Sequence, residues 1–480
     1  MHLFLQQVLA PLFPLHPYAI VVIGIGIVLG LIIGLRINAF IALITAALVV
    51  SFLAPGDVDI KVTRVADAFG ASAGKIGLVI GFAGVIGEAM MRSGAADRIV
   101  QEFLRLLGVR RAPWALMSSG FILSIPVFFD TVFYLLVPLA RSLYRSTRRN
   151  YLFYLCAIAA GGAITHTLVP PTPGPLFMAA NLKIPVGTMI VVGLMVAAPS
   201  AVIALAVAAI LDRRVQLAAL PTFDDEGHSA EQVAAEAERR LADVMQIPFL
   251  EALLPVVLPV ILISGDTIVG VLAAPDAPPI WQQMKPWTAV LGNPNFALLL
   301  SMALAVITWV RFRNPGGKEF SEATETSLLS GGLVILITAA GGAFGAMLQA
   351  TGMSKVVEAQ FSESNAAGMV ALLLGFALAA VLKVAQGSST TAMITVSAMM
   401  SSMELTQEKL GFNLVYLATA IGGGSLIGSW MNDSGFWIFA RMGGLTEAEA
   451  LKTWTIVLCV LGFVSLILSI VFSIVLPLKG

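Results

Sequence analysis

Between Pro17 and Leu476 the chain is a succession of predominantly apolar runs. At about 1.5 Å per residue, runs of about twenty residues cross a bilayer core of about 30 Å. No other feature constrains the fold as strongly. Lipid offers no hydrogen bonds, so every backbone N–H and C=O in such a run must be satisfied within the protein, and the runs must be helices. Charged residues make up 12% of the chain and hydrophobic ones 58%, against about 25% charged in soluble domains. That excludes a string of soluble domains and implies an all-α polytopic membrane protein. The apolar spans fall at 17 to 34, 38 to 54, 76 to 91, 113 to 143, 151 to 182, 187 to 211, 250 to 270, 294 to 312, 328 to 349, 367 to 403, 411 to 441 and 453 to 476.

Two short stretches interrupt this pattern. Ser124-Ile-Pro-Val-Phe-Phe-Asp130 and Gly424-Ser-Leu-Ile-Gly-Ser-Trp-Met-Asn-Asp-Ser-Gly435 place helix breakers and a carboxylate inside apolar spans. Non-helical backbone at membrane depth is tolerated only where it is buried in protein or lines a water-filled cavity. An ionisable group there costs about 2.5 to 3.5 kcal/mol even on insertion scales. Both stretches therefore read as solute sites, and the chain as a secondary transporter.

Charge placement organises the spans. Arg92, Arg98, Arg105, Arg110 and Arg111 precede the span 113 to 143, and Arg141, Arg145, Arg148 and Arg149 follow it. Basic loops face the cytoplasm, so this span is expected to enter and leave on one side as a re-entrant hairpin with its tip at Pro126 to Thr131. The span 367 to 403 looks like its counterpart from the opposite face, with Gln386-Gly-Ser-Ser-Thr-Thr391 as the tip. Gly84, Gly87 and Gly94 recur at one constant offset as Gly342, Gly345 and Gly352, and Gly161, Gly162 and Gly174 recur at another as Gly422, Gly423 and Gly435. Together with the charge pattern these matches predict two inverted-topology repeats, with about ten transmembrane helices plus two re-entrant hairpins. Residues 1 to 211 form the first repeat in this reading, 212 to 248 a cytoplasmic linker and 249 to 480 the second repeat.

Other segments narrow the class. The linker opens with Arg213 and Arg214, passes through Asp224-Asp225-Glu226, and ends in an Ala/Glu/Arg run that reads as a solvated helix. Asp97 to Leu107 and Met353 to Phe361 are short and amphipathic, as suits helices in the interface plane. The two cysteines, Cys156 and Cys459, lie in apolar runs, which argues against a disulfide or thiolate–metal framework. A net charge of zero without a basic patch gives nucleic acid no footprint. Neither a Walker A loop nor an HExxH motif is present, and no cofactor or metal is expected. The first residues lack the basic region and cleavage site of a secretory signal, so the N-terminus is expected to be retained.

The residues able to do chemistry cluster at the breaks. Asp130 follows three large apolar residues at the first tip; it can face a cavity, cap the helix beginning at Thr131, or do both. Asp433 lies in the turn-like Asn432-Asp433-Ser434-Gly435, which also suits a purely structural turn. His166 is the one histidine inside a span, and it precedes Pro170-Pro-Thr-Pro-Gly-Pro175. Its titration range suits proton transfer, while its neutral form suits bonding to carbonyls freed by the prolines. Lys383 either snorkels to an interface or faces the substrate. Glu88 and Arg92, four apart on one helix, read as a local ion pair. Gln386, Ser388, Ser389, Thr390 and Thr391 supply hydroxyl and amide partners without fixed charge. Half-helix N-termini at the tips add positive dipole ends for an anion. That combination favours a polyhydroxy carboxylate, although serines and threonines also serve helix packing.

At these residues the chain resembles the gluconate permease family of the ion transporter superfamily, over nearly its whole length. The resemblance is carried by Ile125-Pro-Val-Phe-Phe-Asp130, the His166 to Pro175 segment, Gln386-Gly-Ser-Ser389, Asn432-Asp433-Ser434-Gly435-Phe436-Trp437 and Leu451-Lys-Thr-Trp454. It implies proton-coupled uptake of gluconate or related sugar acids across the bacterial inner membrane by a dimeric, inverted-repeat protein. It also implies site residues at the tips and breaks. The substrate-binding candidates are Phe129, Asp130, Thr131, Thr165, His166, Gln386, Gly387, Ser388, Ser389, Thr390, Asn432, Asp433 and Ser434. Proton coupling is assigned to Asp130 or Asp433, with His166 as a relay. The partners implied are a small anion, protons, the lipid bilayer and a second copy of the chain.

One departure stands out. Where the family shows His-x-x-x-Pro-Pro-His-Pro-Gly-Pro, this chain has Thr172 in place of the second histidine. That puts a paired-histidine proton route in doubt and leaves open glycerate or a hydroxy amino acid as substrate, with sodium as an alternative coupling ion. Two other classes compete. A channel calls for rings of polar residues along continuous pore helices, whereas polarity here concentrates at two tips and two breaks. An intramembrane enzyme calls for a nucleophile with a base or a metal set, and no signature pairs Ser388 or Ser389 with His166.

Overall fold

The computed structural model describes residues 16–35, 37–215, 217, 243–273, 278–352, 367–403 and 405–478. The solvated helix expected in the linker and the amphipathic helix expected at Met353 to Phe361 lie outside the described residues. Every described element is a helix. Among the described residues, seven helices are long and apolar enough to cross a membrane, and four shorter apolar helices accompany them.

The first part of the chain runs α1 (Pro17–Leu29), α2 (Ala39–Leu53), α3 (Ile60–Ser93), α4 (Ala95–Leu107), α5 (Ala112–Leu123), α6 (Phe129–Thr147), α7 (Tyr151–Leu168), α8 (Pro173–Asn181) and α9 (Val186–Arg214). The second runs α10 (Phe249–Leu272), α11 (Pro279–Leu291), α12 (Pro294–Arg313), α13 (Gly317–Gln349), α14 (Ala367–Gln386), α15 (Ser389–Ser401), α16 (Val415–Gly424), α17 (Ser434–Gly443) and α18 (Ile456–Val475). Helix starts follow local chemistry. Asn38 caps α2 by accepting from the Phe40 N–H at 2.9 Å, and Asn293 caps α12, whose first residue is Pro294.

Two elements differ from the hydropathy reading. The span expected at 76 to 91 is the end of a 34-residue helix that begins at Ile60. Its first turns are polar, so apolar patterning misses them, but they are tied down: Lys61 donates to the Ala54 carbonyl, and Arg64 donates to the Pro55 carbonyl at 2.9 Å and to Ser51 Oγ at 2.7 Å. Both cations thus serve the C-terminus of α2, where free carbonyls and the helix dipole favour them. Helix α11 was not expected at all; Gln282, Gln283 and Lys285 interrupt its apolar pattern, and none of its residues is buried.

Lipid tails are as apolar as leucine, so close approach and hydrogen bonds hold membrane helices together more than water exclusion does. The long helices α3 and α13 pack against each other through small residues: a Cβ on Gly84 would strike Ser327, and one on Gly342 would strike Ser72. The Glu88–Arg92 ion pair forms at 2.6 Å, and Arg92 also reaches Glu319 on α13 at 3.6 Å. The amphipathic α4 begins at Gly94 in the left-handed region, buries Ile99 and Val100, and is pinned by Arg98 donating to the Ile247 carbonyl at 2.9 Å. Cys156 and Cys459 are free thiols.

The centre of the molecule is where the helices are interrupted. The spans expected at 113 to 143, 151 to 182, 367 to 403 and 411 to 441 each divide into two helices, at residues 124 to 128, 169 to 172, 387 to 388 and 425 to 433. Helix α7 is buried along almost its whole length, and α16 is buried throughout. The interruptions at 124 to 128 and 169 to 172 are enclosed by protein, as an apolar solvent demands, whereas Ser388, Trp430 and Met431 in the other two are exposed.

Candidate functional site

The interruptions meet at a cavity of about 430 Å³. Its floor and walls come from the start of α6 (Phe128, Phe129, Asp130), the end of α7 (Ala163, His166, Thr167), the tip between α14 and α15 (Lys383, Gly387 to Thr391) and the break ending at Asn432 to Gly435. Leu333, Val334 and Ile337 of α13 close one side, and Trp454 and Leu458 another. The N-termini of α6, α15 and α17 all open on it, so three positive dipole ends surround the space.

Around the second tip nearly every polar group has a fixed partner. The Lys383 ammonium donates to Asp433 Oδ2 at 2.7 Å and to the Gly387 carbonyl at 2.6 Å, with its side chain 1% exposed. Snorkelling is ruled out for it. Asp433 caps α17, its Oδ1 accepting from the Gly435 N–H at 2.9 Å, while its Oδ2 also accepts from Ser429 Oγ. Trp454 Nε1 in turn donates to Ser429 Oγ at 2.7 Å, and the indole packs on Phe129 and Phe439. The turn-like sequence at Asp433 is thus a helix cap and half of a buried ion pair at once.

Freed carbonyls are also accounted for. The Val384 carbonyl accepts from both Trp430 Nε1 and Asn432 Nδ2 at 2.8 Å. Ser389 Oγ donates to the Ser425 carbonyl at 2.7 Å, and Ser388 caps α15 by accepting from the Thr391 N–H at 3.2 Å. Gly387 sits at φ +84°, and a Cβ there would run into the Asn432 carbonyl. Only glycine lets this tip lie against the break.

A second set of cavity-lining residues carries groups without a hydrogen-bond partner among the described residues. Asp130 makes no hydrogen bond among the described residues, although it lies within Coulombic reach of Asp433 and Lys383. It is not the cap of α6 either, since that helix starts at Phe129 with Phe128 as the capping residue and no side-chain cap bond. His166 Nδ1 and Asn432 Oδ1 are buried without partners. The freed carbonyls that His166 was weighed to satisfy are taken by Thr172, whose hydroxyl lies 2.8 Å from both the His166 and Val169 carbonyl oxygens. The residue that replaces the second family histidine therefore serves the backbone.

Most of the sequence candidates line the cavity: Phe129, Asp130, His166, Gly387, Ser388, Ser389, Thr390, Asn432, Asp433 and Ser434. Two do not. Thr131 is not among the lining residues, and Thr165 is fully buried with its hydroxyl donating to the Gly161 carbonyl at 3.1 Å within α7. The Gln386 side chain lies outside the described residues. Sequence reasoning left Lys383 undecided and gave no role to Ser429, Trp454 or the α13 wall. Its one available signal for Lys383 was a charge four residues before the tip glycine, one helical turn from the break.

Comparison with known proteins fixes the class. Residues 16–475 match the family model described as GntP family permease. The chain belongs to that family. A gluconate permease of Pseudomonas aeruginosa is 32% identical over 446 residues, covering 92% of this chain and 94% of its own. The Gnt-II system L-idonate transporter of Escherichia coli is 28% identical over 440 residues, covering 92% of this chain and 95% of its own. Among solved structures, Neisseria gonorrhoeae MtrF, an antimetabolite efflux pump, aligns with a TM-score of 0.60 at 16% identity, covering 100% of this chain and 98% of its own. The Alcanivorax borkumensis YdaH transporter aligns at 0.59 and 15% identity, covering 92% and 98%. At these identities the structural likeness establishes fold alone. This GntP family permease is a membrane transporter of the gluconate permease type, not an enzyme, and a multi-pass protein of the bacterial inner membrane.

Proposed function

We propose that this permease takes up gluconate or a closely related polyhydroxy monocarboxylate together with a proton. The observation that carries the reading is the cavity itself, where one lysine, two carboxylates and a set of unspent oxygen and nitrogen acceptors meet three helix N-termini. Asn432 Oδ1 calls for an O–H donor and His166 Nδ1 for a donor or an acceptor according to its tautomer, and a hydroxyl of a polyol chain can serve either. The dipole ends and Lys383 favour a carboxylate at one end of that chain. Relatives named for gluconate and L-idonate point the same way.

Charge counting supports the coupling. Asp130, Asp433 and Lys383 leave the empty site with one net negative charge, so a monoanion alone would double it in a medium where charge is costly. A proton entering with the substrate restores the balance. Asp433 is held by three donors, whereas Asp130 has none, so we place the exchanging proton on Asp130, with His166 as its neighbour along the cavity wall. The paired interruptions fit a reading of two inverted repeats, about ten crossings and two re-entrant hairpins, which would carry this midplane site from one face of the membrane to the other.

Purified protein in liposomes tests the proposal. An inward proton gradient should accumulate labelled gluconate, and an inward sodium gradient at equal pH should not. Sodium-driven accumulation without a proton requirement would overturn the coupling, and a lack of any sugar-acid uptake would overturn the substrate class.

A further inference from the structure

Resting on the sugar-acid reading, we propose that Lys383 is the residue that binds the substrate carboxylate, with Asp433 as its positioning partner, so that this pair selects acids over neutral polyols. Among the described residues, Lys383 is the one lysine or arginine in the cavity lining. An ammonium has three N–H donors, and two are spent, on Gly387 and Asp433. The third has no acceptor among the described residues, although the side chain is 1% exposed. A buried donor left unmade carries a penalty that a ligand oxygen removes.

The surroundings hold that donor in place. Asp433 is fixed by the Gly435 N–H and by Ser429, and Ser429 is fixed by Trp454, so the carboxylate that aims Lys383 does not need to leave when a ligand arrives. The Gly387 carbonyl holds the ammonium from the other side, and Gly387 is itself wedged against Asn432. Asn432, whose Oδ1 is buried without a partner, lines the same cavity. The end of α14 and the break before α17 thus bring a charged donor for the carboxylate close to an acceptor for a hydroxyl of the same molecule.

A purely structural ion pair makes the opposite prediction when both charges are removed together. The double variant Lys383→Met/Asp433→Asn leaves no unpaired charge and keeps a good helix cap, since asparagine caps as well as aspartate. Binding of gluconate and of glucitol, its neutral polyol counterpart, is measured by calorimetry on nanodisc-embedded protein, with thermal unfolding as the check on folding. The wild type should prefer gluconate by about 100-fold, the scale of a charged hydrogen bond. The double variant should lose that preference through gluconate alone, with glucitol affinity unchanged. A folded double variant that still prefers gluconate overturns the assignment of Lys383. A wild type with no such preference overturns the sugar-acid reading and this assignment with it. If the double variant does not fold, Lys383→Arg decides: retained preference with altered affinity supports the assignment, and unchanged affinity for both ligands removes it.

Discussion

The two interrupted tips that face the cavity are built to different ends. The tip before α15 is cross-braced: Lys383, Ser389, Trp430 and Asn432 all bond across it to or from the break at 425 to 433. The tip before α6 consists of buried Ile125, Pro126 and Val127, hydrogen-bonded only back to its own preceding helix, with the Ser124 hydroxyl unpaired. One tip carries fixed charges on a clamped scaffold. The other presents a single carboxylate, Asp130, which no hydrogen bond among the described residues holds in place. Two breaks that look alike as helix interruptions thus suit the division of labour proposed above, one recognising the substrate and one exchanging a proton.

Asp433→Ala attacks the clamped side hardest. It strands Lys383 in the protein interior and removes the cap of α17, and breaking a buried pair costs about 3 to 5 kcal/mol. Chemical unfolding in detergent should show a loss of that size. Asp130→Asn, by contrast, should change stability by no more than about 0.5 kcal/mol while abolishing accumulation driven by a pH gradient and sparing substrate exchange. Equal stability losses in the two variants would erase the distinction between the tips.

Gly387→Ala should come next. Alanine at φ +84° costs about 1 to 2 kcal/mol, and its methyl would push the tip off Asn432, so transport should fall together with stability. The smallest effects sharpen the comparison most finely. Ser389→Ala deletes a cross-brace and should cost about 1 kcal/mol, while Ser124→Ala deletes a hydroxyl that bonds to nothing and should be neutral within about 0.5 kcal/mol.

Much of this was legible in the sequence because membrane solvation is so strict. Pro126, Asp130, Gly387 and Asp433 stand out where lipid allows neither breaks nor charges. Hydropathy could not see the polar first turns of α3 or the exposed α11, since both are helical for reasons other than an apolar face. The Lys383–Asp433 pair was hidden because it joins residues fifty apart, and only the fold shows that one helical turn before a tip lies beside a distant break. Thr165 is the converse case: it neighbours His166 in sequence, but its hydroxyl bonds inward to Gly161. Thr172 reads as a lost histidine in sequence and as a backbone partner in space.

In the proposed mechanism, substrate binding and proton binding meet at one cavity through Asp130. Proton uptake measured in weakly buffered solution as gluconate is titrated into purified protein tests it most directly, because linkage makes a group that gains a proton on binding draw it from solution. The wild type should take up protons, and Asp130→Asn should take up none at saturating gluconate. Undiminished uptake by Asp130→Asn, with gluconate bound, would contradict it.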